Sequence, residues 1–366
     1  MHYPMNQRRI SLAVAAGNAR LQPGLYSLLN PRRIGLAIAA ITLLATTAAA
    51  RPVEIKLATL APEGSAWMET LTRARNDIRE ATEGRVRLRL YPSGIMGEER
   101  DVMFKIRAGQ LDAGGFLGVG ISTICPDAQA LMVPMLFESY AEADAAIEGM
   151  TPHLDKQSRE NGFVVLGWTE VGFTYLLSRS PVRSIEDLRR AKPWATTDTE
   201  LLGEFFTAAR VHALPVPVTD VLTALQTGLL ETVFSPALGA VAMQWHTRTR
   251  YRLEQPLSYV FGGLFVAERT WRRIREDDRE AIGEILARHT RELTLEVRRS
   301  NREALEIMAE QGIQTVTASD EEIQAFSEVS RQARERLVGR AYSPEAWTRL
   351  QDILREVRAA EGDPDS

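Results

Sequence analysis

From Val53 onward the hydrophobic pattern alternates between two periods, strands feeding helices, which predicts an α/β fold. Val53, Ile55 and Leu57 alternate with Glu54 and Lys56 and predict a first strand. Ser65 offers an N-cap, and Trp67, Leu71, Ala74, Ile78 and Ala81 then fall on one face of a helix that Gly84 ends. Val86, Leu88 and Leu90 alternate with Arg85, Arg87 and Arg89, a strand with one dry face and one wet face. Pro92 and Gly94 turn the chain into a helix from about Glu98 to Ala108, closed by Gly109. The segment LDAGGFLG from Leu111 is apolar and glycine-rich, a strand end that lets another group approach the backbone.

The middle of the chain repeats this style. Ser139 and Glu142 have the spacing of a capping box for a helix predicted to end at Gly149, and FVVLGWT from Phe163 reads as a buried strand. Next come a strand GFTYLLS from Gly172, a capping box at Ser184 and Asp187, a strand KPWAT from Lys192 and a helix over Leu201 to Ala209. HALPVP, a helix from Thr219 to Gly228 and a strand TVFSP from Thr232 follow. SYVFGGLFVAE, residues 258–268, predicts a strand that returns to the first sheet. Beyond it the pattern is helical over 269–311, 319–339 and 343–360, with an apolar stripe of Ile282, Ile285, Leu286, His289, Leu293 and Val297 in the first of these. A helix of that length can bridge two lobes. The expected division is 51–172 with 259–300 in lobe I, and 173–258 with 301–360 in lobe II.

Charge changes the picture at the N-terminus. Of 44 Lys and Arg, five lie in the first 50 residues, where no Asp or Glu occurs, leaving 39 against 48 acidic residues in the body. An acidic body argues against nucleic acid, whose affinity comes largely from cations at phosphates. Arg32 and Arg33 precede an uncharged run, Ile34 to Ala50, that ends in an A-x-A pattern. This reads as a cleavable secretory signal over residues 1–50 and predicts a periplasmic, diffusible mature chain. The run is short for a hydrocarbon core of about 30 Å. The pairs Arg8-Arg9 and Arg32-Arg33 leave general secretory and twin-arginine export both open.

Candidate chemistry is sparse. His153, His212, His246 and His289 have no metal-ligand spacing, and a lone Cys125 beside Pro126 provides neither a disulfide nor a cysteine cage. GGFLGVG, from Gly114 to Gly120, lacks the order of a dinucleotide fingerprint. No catalytic residue, metal or cofactor is expected, so the chain reads as a binding protein and not an enzyme.

LATLAPEGSAWM at 57–68, RLRLYPSGIMGEE at 87–99 and IRAGQLDA at 106–113 together resemble the DctP-type solute receptors of tripartite ATP-independent periplasmic (TRAP) transporters. VPMLFES at 133–139, SIEDLRRAK at 184–192 and VLTALQTGLLET at 221–232 extend the resemblance over nearly the whole mature chain. It implies a two-lobed periplasmic solute-binding fold with crossing strands and a long bridging helix. It also implies one small ligand held between the lobes and a membrane permease as partner; an additional periplasmic partner or a dimer stays open. Ligand positions carried over are Leu60, Glu99, Phe116, Leu117, Phe173, Thr174, Tyr175, Trp194, Thr197, Ser235 and Gly263.

The sequence departs from the family where a ligand carboxylate is usually clamped. Trp194 stands at the usual arginine position, and the second arginine position falls near Phe173 or Thr174. A carboxylate buried without a cation loses hydration it cannot replace. The expected ligand is therefore largely apolar or amphipathic, lipid-like, with Trp194, Phe173, Tyr175, Leu60 and Leu117 as apolar surface. Two alternatives remain. One is an ordinary organic acid met by a non-standard arginine such as Arg179, with Trp194 and Phe173 as interlobe core. The other is a partner-binding protein without a transport role.

Overall fold

A computed structural model describes residues 51–195 and 200–361, so the leader predicted over 1–50 and the candidate Thr197 lie outside the described residues. Strand β1 (Val53–Ala58) runs parallel to β2 (Val86–Tyr91) and to β3 (Ala113–Phe116). Helix α1 (Ala66–Ala81) starts where the Ser65 side chain accepts from Met68 N, and it buries Met68, Leu71, Ala74 and Ile78. Helix α2 (Glu99–Arg107) starts with a capping box between Glu98 and Asp101. A short helix α3 (Val119–Ile124) follows β3.

Helix α4 (Tyr140–Glu160) leads into β4 (Phe163–Ser178), the longest strand. The next elements are α5 (Ile185–Arg190), β5 (Trp194–Ala195), α6 (Glu200–Ala209), β6 (Leu214–Pro215), α7 (Val221–Thr227), β7 (Thr232–Pro236), α8 (Ala237–Ala242), β8 (Tyr251–Leu253) and β9 (Ser258–Ala267). Helices α9 (Glu268–Trp271) and α10 (Glu276–Glu310), strand β10 (Gln314–Val316), α11 (Asp320–Leu337) and α12 (Pro344–Glu361) close the order. One sheet runs β10-β8-β4-β9-β3-β1-β2 with β7 also paired to β4, and β5 with β6 forms a second, parallel pair.

The sheet passes through the molecule on β4 and β9, antiparallel from Phe163↔Ala267 to Thr174↔Ser258. Beside them α10, 35 residues and about 52 Å long, serves two cores. Ile282, Ile285 and Leu286 pack with the β1 and α1 residues, whereas Ala304 and Met308 pack with Leu177 and Trp245. This is the expected α/β, two-lobed architecture with crossing strands and a long bridging helix.

Three details differ from the sequence reading, each for a tertiary reason. The two strands predicted at FVVLGWT and GFTYLLS are one strand, with irregularities between Val165 and Gly167 and between Glu170 and Gly172. Gly172 takes φ +112 at the second, so glycine there bends the strand without ending it. The helix expected to stop at Gly149 continues to Glu160, because Gly149 is an approach point: a Cβ there would lie 2.6 Å from Ile353 Cδ1 of α12. Finally, α12 was expected with the second lobe but packs on α4. Ala346, Trp347, Leu350 and Leu354 join the core that includes Ala143, Ala146 and Met150.

Polar contacts pin α12 in that place. Arg358 donates to Glu142 Oε1 at 2.7 Å and to the Leu136 carbonyl at 3.0 Å. At the other end Asp127 accepts from Ser343 N at 2.6 Å and Ser343 Oγ at 2.9 Å, and meets His153 Nε2 at 2.6 Å. Burial pushes both carboxyls up, but His153 and Ser343 hold Asp127 below its ordinary value, and Arg358 with the Glu138 N–H does the same for Glu142.

Two outcomes follow from this packing. Gly172→Ala puts a Cβ 2.6 Å from Asn301 Nδ2 in left-handed backbone, so it should cost about 1–3 kcal/mol in thermal or urea unfolding. The depressed carboxyls make α12 docking stable above the ordinary carboxylate range and lose that stability as pH falls through their folded values, beneath that range. Hydrogen exchange at pH 3 should show residues 344–361 unprotected while β4 and β9 remain protected.

Candidate ligand-binding site

In open α/β sheets ligands bind outside the carboxyl ends of parallel strands. Here those ends are Ala58 of β1, Tyr91 of β2 and Phe116 of β3, so the segments leaving them, with Leu60 and Leu117, form one edge. The counterpart in the second half is the end of β5, and the Ser235–Pro236 end of β7 lies beside Thr174 and Tyr175 of β4.

The predicted residues divide into two groups. Leu117 is 38% exposed and Leu60 half-buried, its Cδ2 lying 3.1 Å from where a Cβ on Gly94 would stand. Leu117 also covers Gly262, where a Cβ would come within 2.6 Å of it. Thr174 is buried and its Oγ1 has no hydrogen-bond partner. Ser235 is buried with its hydroxyl donating to the Pro236 carbonyl at 2.9 Å. Tyr175 is half-buried beneath the Arg252 guanidinium, 4.8 Å from the ring centre, and burial raises its phenol.

The others are buried, as Thr174 and Ser235 are, and are engaged by rings or backbone groups of the protein. Trp194 packs edge-on to Trp245 at 5.2 Å, and its indole N–H donates to the Val216 carbonyl at 2.8 Å. That bond and the apolar residues around it turn the side chain into the core that includes Val216, Leu225 and Trp245. Phe173 stacks with Tyr140 at 4.8 Å and Tyr259 at 5.4 Å. Phe116 is 1% exposed and 6.1 Å from Phe265. Gly263 pairs with both Phe116 and Trp168, and a Cβ on it would strike the Phe265 ring. Glu99 is likewise buried, its carboxylate taken up by backbone N–H groups of Leu117, Gly118 and Gly120.

A polar node on the crossing strand was missed in the sequence. Glu170 Oε2 accepts from Tyr259 OH at 2.9 Å and from Arg298 of α10 at 2.9 and 2.7 Å. Burial raises the Glu170 carboxyl, against the opposing pull of Arg298 and Tyr259. Arg298 also bonds Asp144 of α4 and lies 4.3 Å over the Tyr140 ring. Trp67 donates to the Glu170 carbonyl at 3.1 Å, and Asn301 joins the Val171 carbonyl to Leu238 N, each at 2.9 Å. The signal was present: one carboxylate inside FVVLGWTEVGFTYLLS must find a cation.

Among the described residues no group of three His, Cys, Asp or Glu could hold a metal, and no helix is long and apolar enough to cross a membrane. Cys125 is buried, and burial pushes its thiol up to about 12, far from a reactive thiolate.

The family model for bacterial extracellular solute-binding protein, family 7 (DctP), matches residues 57–339. The chain belongs to this family. A solute-binding protein of Roseobacter denitrificans is 26% identical over 251 residues, 67% of this chain and 76% of that one. A TRAP periplasmic solute-binding protein of Ochrobactrum anthropi, with its C-terminus bound in the ligand pocket, superposes with TM-score 0.76 at 21% identity, covering 85% of this chain and 97% of that one. The sugar-acid binding protein of Advenella mimigardefordensis in complex with galactonate superposes with TM-score 0.77 at 17% identity, covering 84% and 99%. The protein is thus a solute-binding receptor of the TRAP type, and the crossing strands and long helix of this family 7 receptor are those of the family fold.

The unpartnered Thr174 hydroxyl supplies a test of the local energetics. A buried polar group without a partner costs about 1–3 kcal/mol, so Thr174→Val should leave the ligand-free receptor as stable or up to that amount more stable in urea unfolding.

Proposed function

We propose that the protein is a periplasmic TRAP receptor that captures a largely apolar or amphipathic small molecule between its lobes and delivers it to a membrane permease. The family and the basic leader ending in A-x-A support the location and the permease partner. Capture by lobe closure requires that the ligand bind the closed form better than the open one.

The ligand class rests on one observation: neither usual clamp position holds a cation, and the neighbouring arginines are engaged by the protein. By the family resemblance Trp194 stands at one of them, and the other falls near Phe173 or Thr174. Arg179 donates to the Leu225 carbonyl, Arg298 to Glu170 and Asp144, and Arg252 stacks on Tyr175 while donating to the carbonyls of Leu253 and Glu254. Without a charge-assisted bond worth about 1.5–3 kcal/mol, a carboxylate binds roughly ten- to a hundredfold more weakly here than where an arginine receives it. Leu60 and Leu117 instead offer apolar surface, contributing about 25 cal/mol per Å² covered. Thr174 supplies a neutral donor for one polar group of the ligand.

A second reading, an organic-acid receptor, draws on the galactonate-bound relative. Native mass spectrometry of the receptor purified from periplasm separates the two. The expected result is an apolar or amphipathic ligand, with no rise in melting temperature on adding galactonate to the ligand-stripped protein. Recovery of a sugar acid, or micromolar galactonate binding by calorimetry, refutes the apolar reading. A partner-only role predicts a heavier complex in sedimentation and no small ligand.

A further inference from the structure

The loop after β3 presents one side chain outward and turns its backbone donors inward. Leu117 is 38% exposed, whereas Phe116 before it is 1% exposed. The N–H groups of Leu117, Gly118 and Gly120 converge on one carboxylate: Leu117 N lies 2.6 Å from Glu99 Oε1, and Gly118 N and Gly120 N lie 3.1 and 2.9 Å from Oε2. Glu99 is 8% exposed at the start of α2. Burial raises the Glu99 carboxyl while the three N–H groups pull it down, and because these three contacts all come from donors they fit an ionised carboxylate. Converging backbone N–H groups of this kind form an anion-binding concavity, and its occupant here belongs to the chain itself. The Phe116 ring secures the loop, since a Cβ on Gly114 or Gly120 would come within 2.3 or 2.2 Å of it.

We propose that Glu99 is a positioning and specificity residue: it occupies the donors of the 117–120 loop, holds Leu117 outward, and denies those donors to a ligand carboxylate. The last part rests on the ligand reading above; the occupancy does not. An acid reaching this loop meets donors already used and a like charge behind them. What the loop still offers a ligand is the Leu117 side chain.

The test uses the mature receptor with Glu99→Gln and Glu99→Ala, amide hydrogen exchange and a formate titration. Glu99→Gln keeps the size of the side chain but replaces one acceptor with a donor. Exchange at Leu117, Gly118 and Gly120 should rise by about tenfold or more, with β4 and β9 unchanged; unaltered exchange overturns the proposal. Glu99→Ala should melt several degrees lower, and sodium formate should restore at least half of that loss beyond sodium chloride at equal ionic strength. Wild type and Glu99→Gln should show no formate-specific shift. Absence of a formate-specific recovery in a folded Glu99→Ala overturns the occupancy, and if that variant does not fold the exchange data on Glu99→Gln decide. A co-purified sugar acid alongside intact formate rescue would refute only the ligand reading.

Discussion

A single buried ion pair organises the region where the two lobes meet. Glu170 sits on β4 where the strand bends at Gly172, and burial makes its charge untenable without Arg298. Arg298 is carried by α10, which packs against β4, and it reaches on to Asp144 of α4. The crossing strand, the bridging helix and α4 are thereby tied at one point. Asn301, one turn along α10, adds the Val171 carbonyl and the start of α8, so α8 is joined to the same bend. Removing one partner of such a pair leaves an uncompensated buried charge, at a cost of about 3–5 kcal/mol. A receptor that opens and closes needs its flexing segments to return to one arrangement, and directional charge-assisted bonds specify an arrangement more narrowly than apolar contact does.

The same electrostatic logic extends to the ligand edge with the opposite outcome. At the bend, a buried carboxylate is matched by an arginine; around Glu99, another is matched by three backbone donors. Both carboxylates thus find partners within the protein, Glu170 through Oε2 alone, its buried Oε1 having none. Elsewhere in the second half of the chain the Trp194 indole is locked to the Val216 carbonyl, and the buried Thr174 hydroxyl has no hydrogen-bond partner.

Legibility in the sequence followed the range of the forces involved. The strand at Val86–Tyr91 and the caps at Ser65 and Ser184 were readable because alternation and capping act within a few residues. Gly149 and Gly172 both misled. A glycine that ends a helix or strand and one that admits a neighbour look alike until Ile353 or Asn301 is in place. The candidate site was legible as positions along the chain but not as directions: Phe116, Phe173 and Trp194 are apolar, and only their ring partners show that they face cores. Glu99 was identified as a charge near the ligand, with no hint that a loop eighteen residues on would enclose it.

The sequence by itself determined the α/β class, the long bridging helix, the basic leader, and the family through motifs spread over the mature chain. The class, the helix and the leader arise from local periodicity and composition, which every folded form of the chain must respect, whereas the family is read from the resemblance of those motifs. Only the tertiary structure decided that β4 is one bent strand, that α12 belongs against α4, and which polar groups are already spoken for. These depend on contacts between residues far apart in the chain. Burial then makes each partner obligatory, because a polar group removed from water must bond to whatever the fold places beside it.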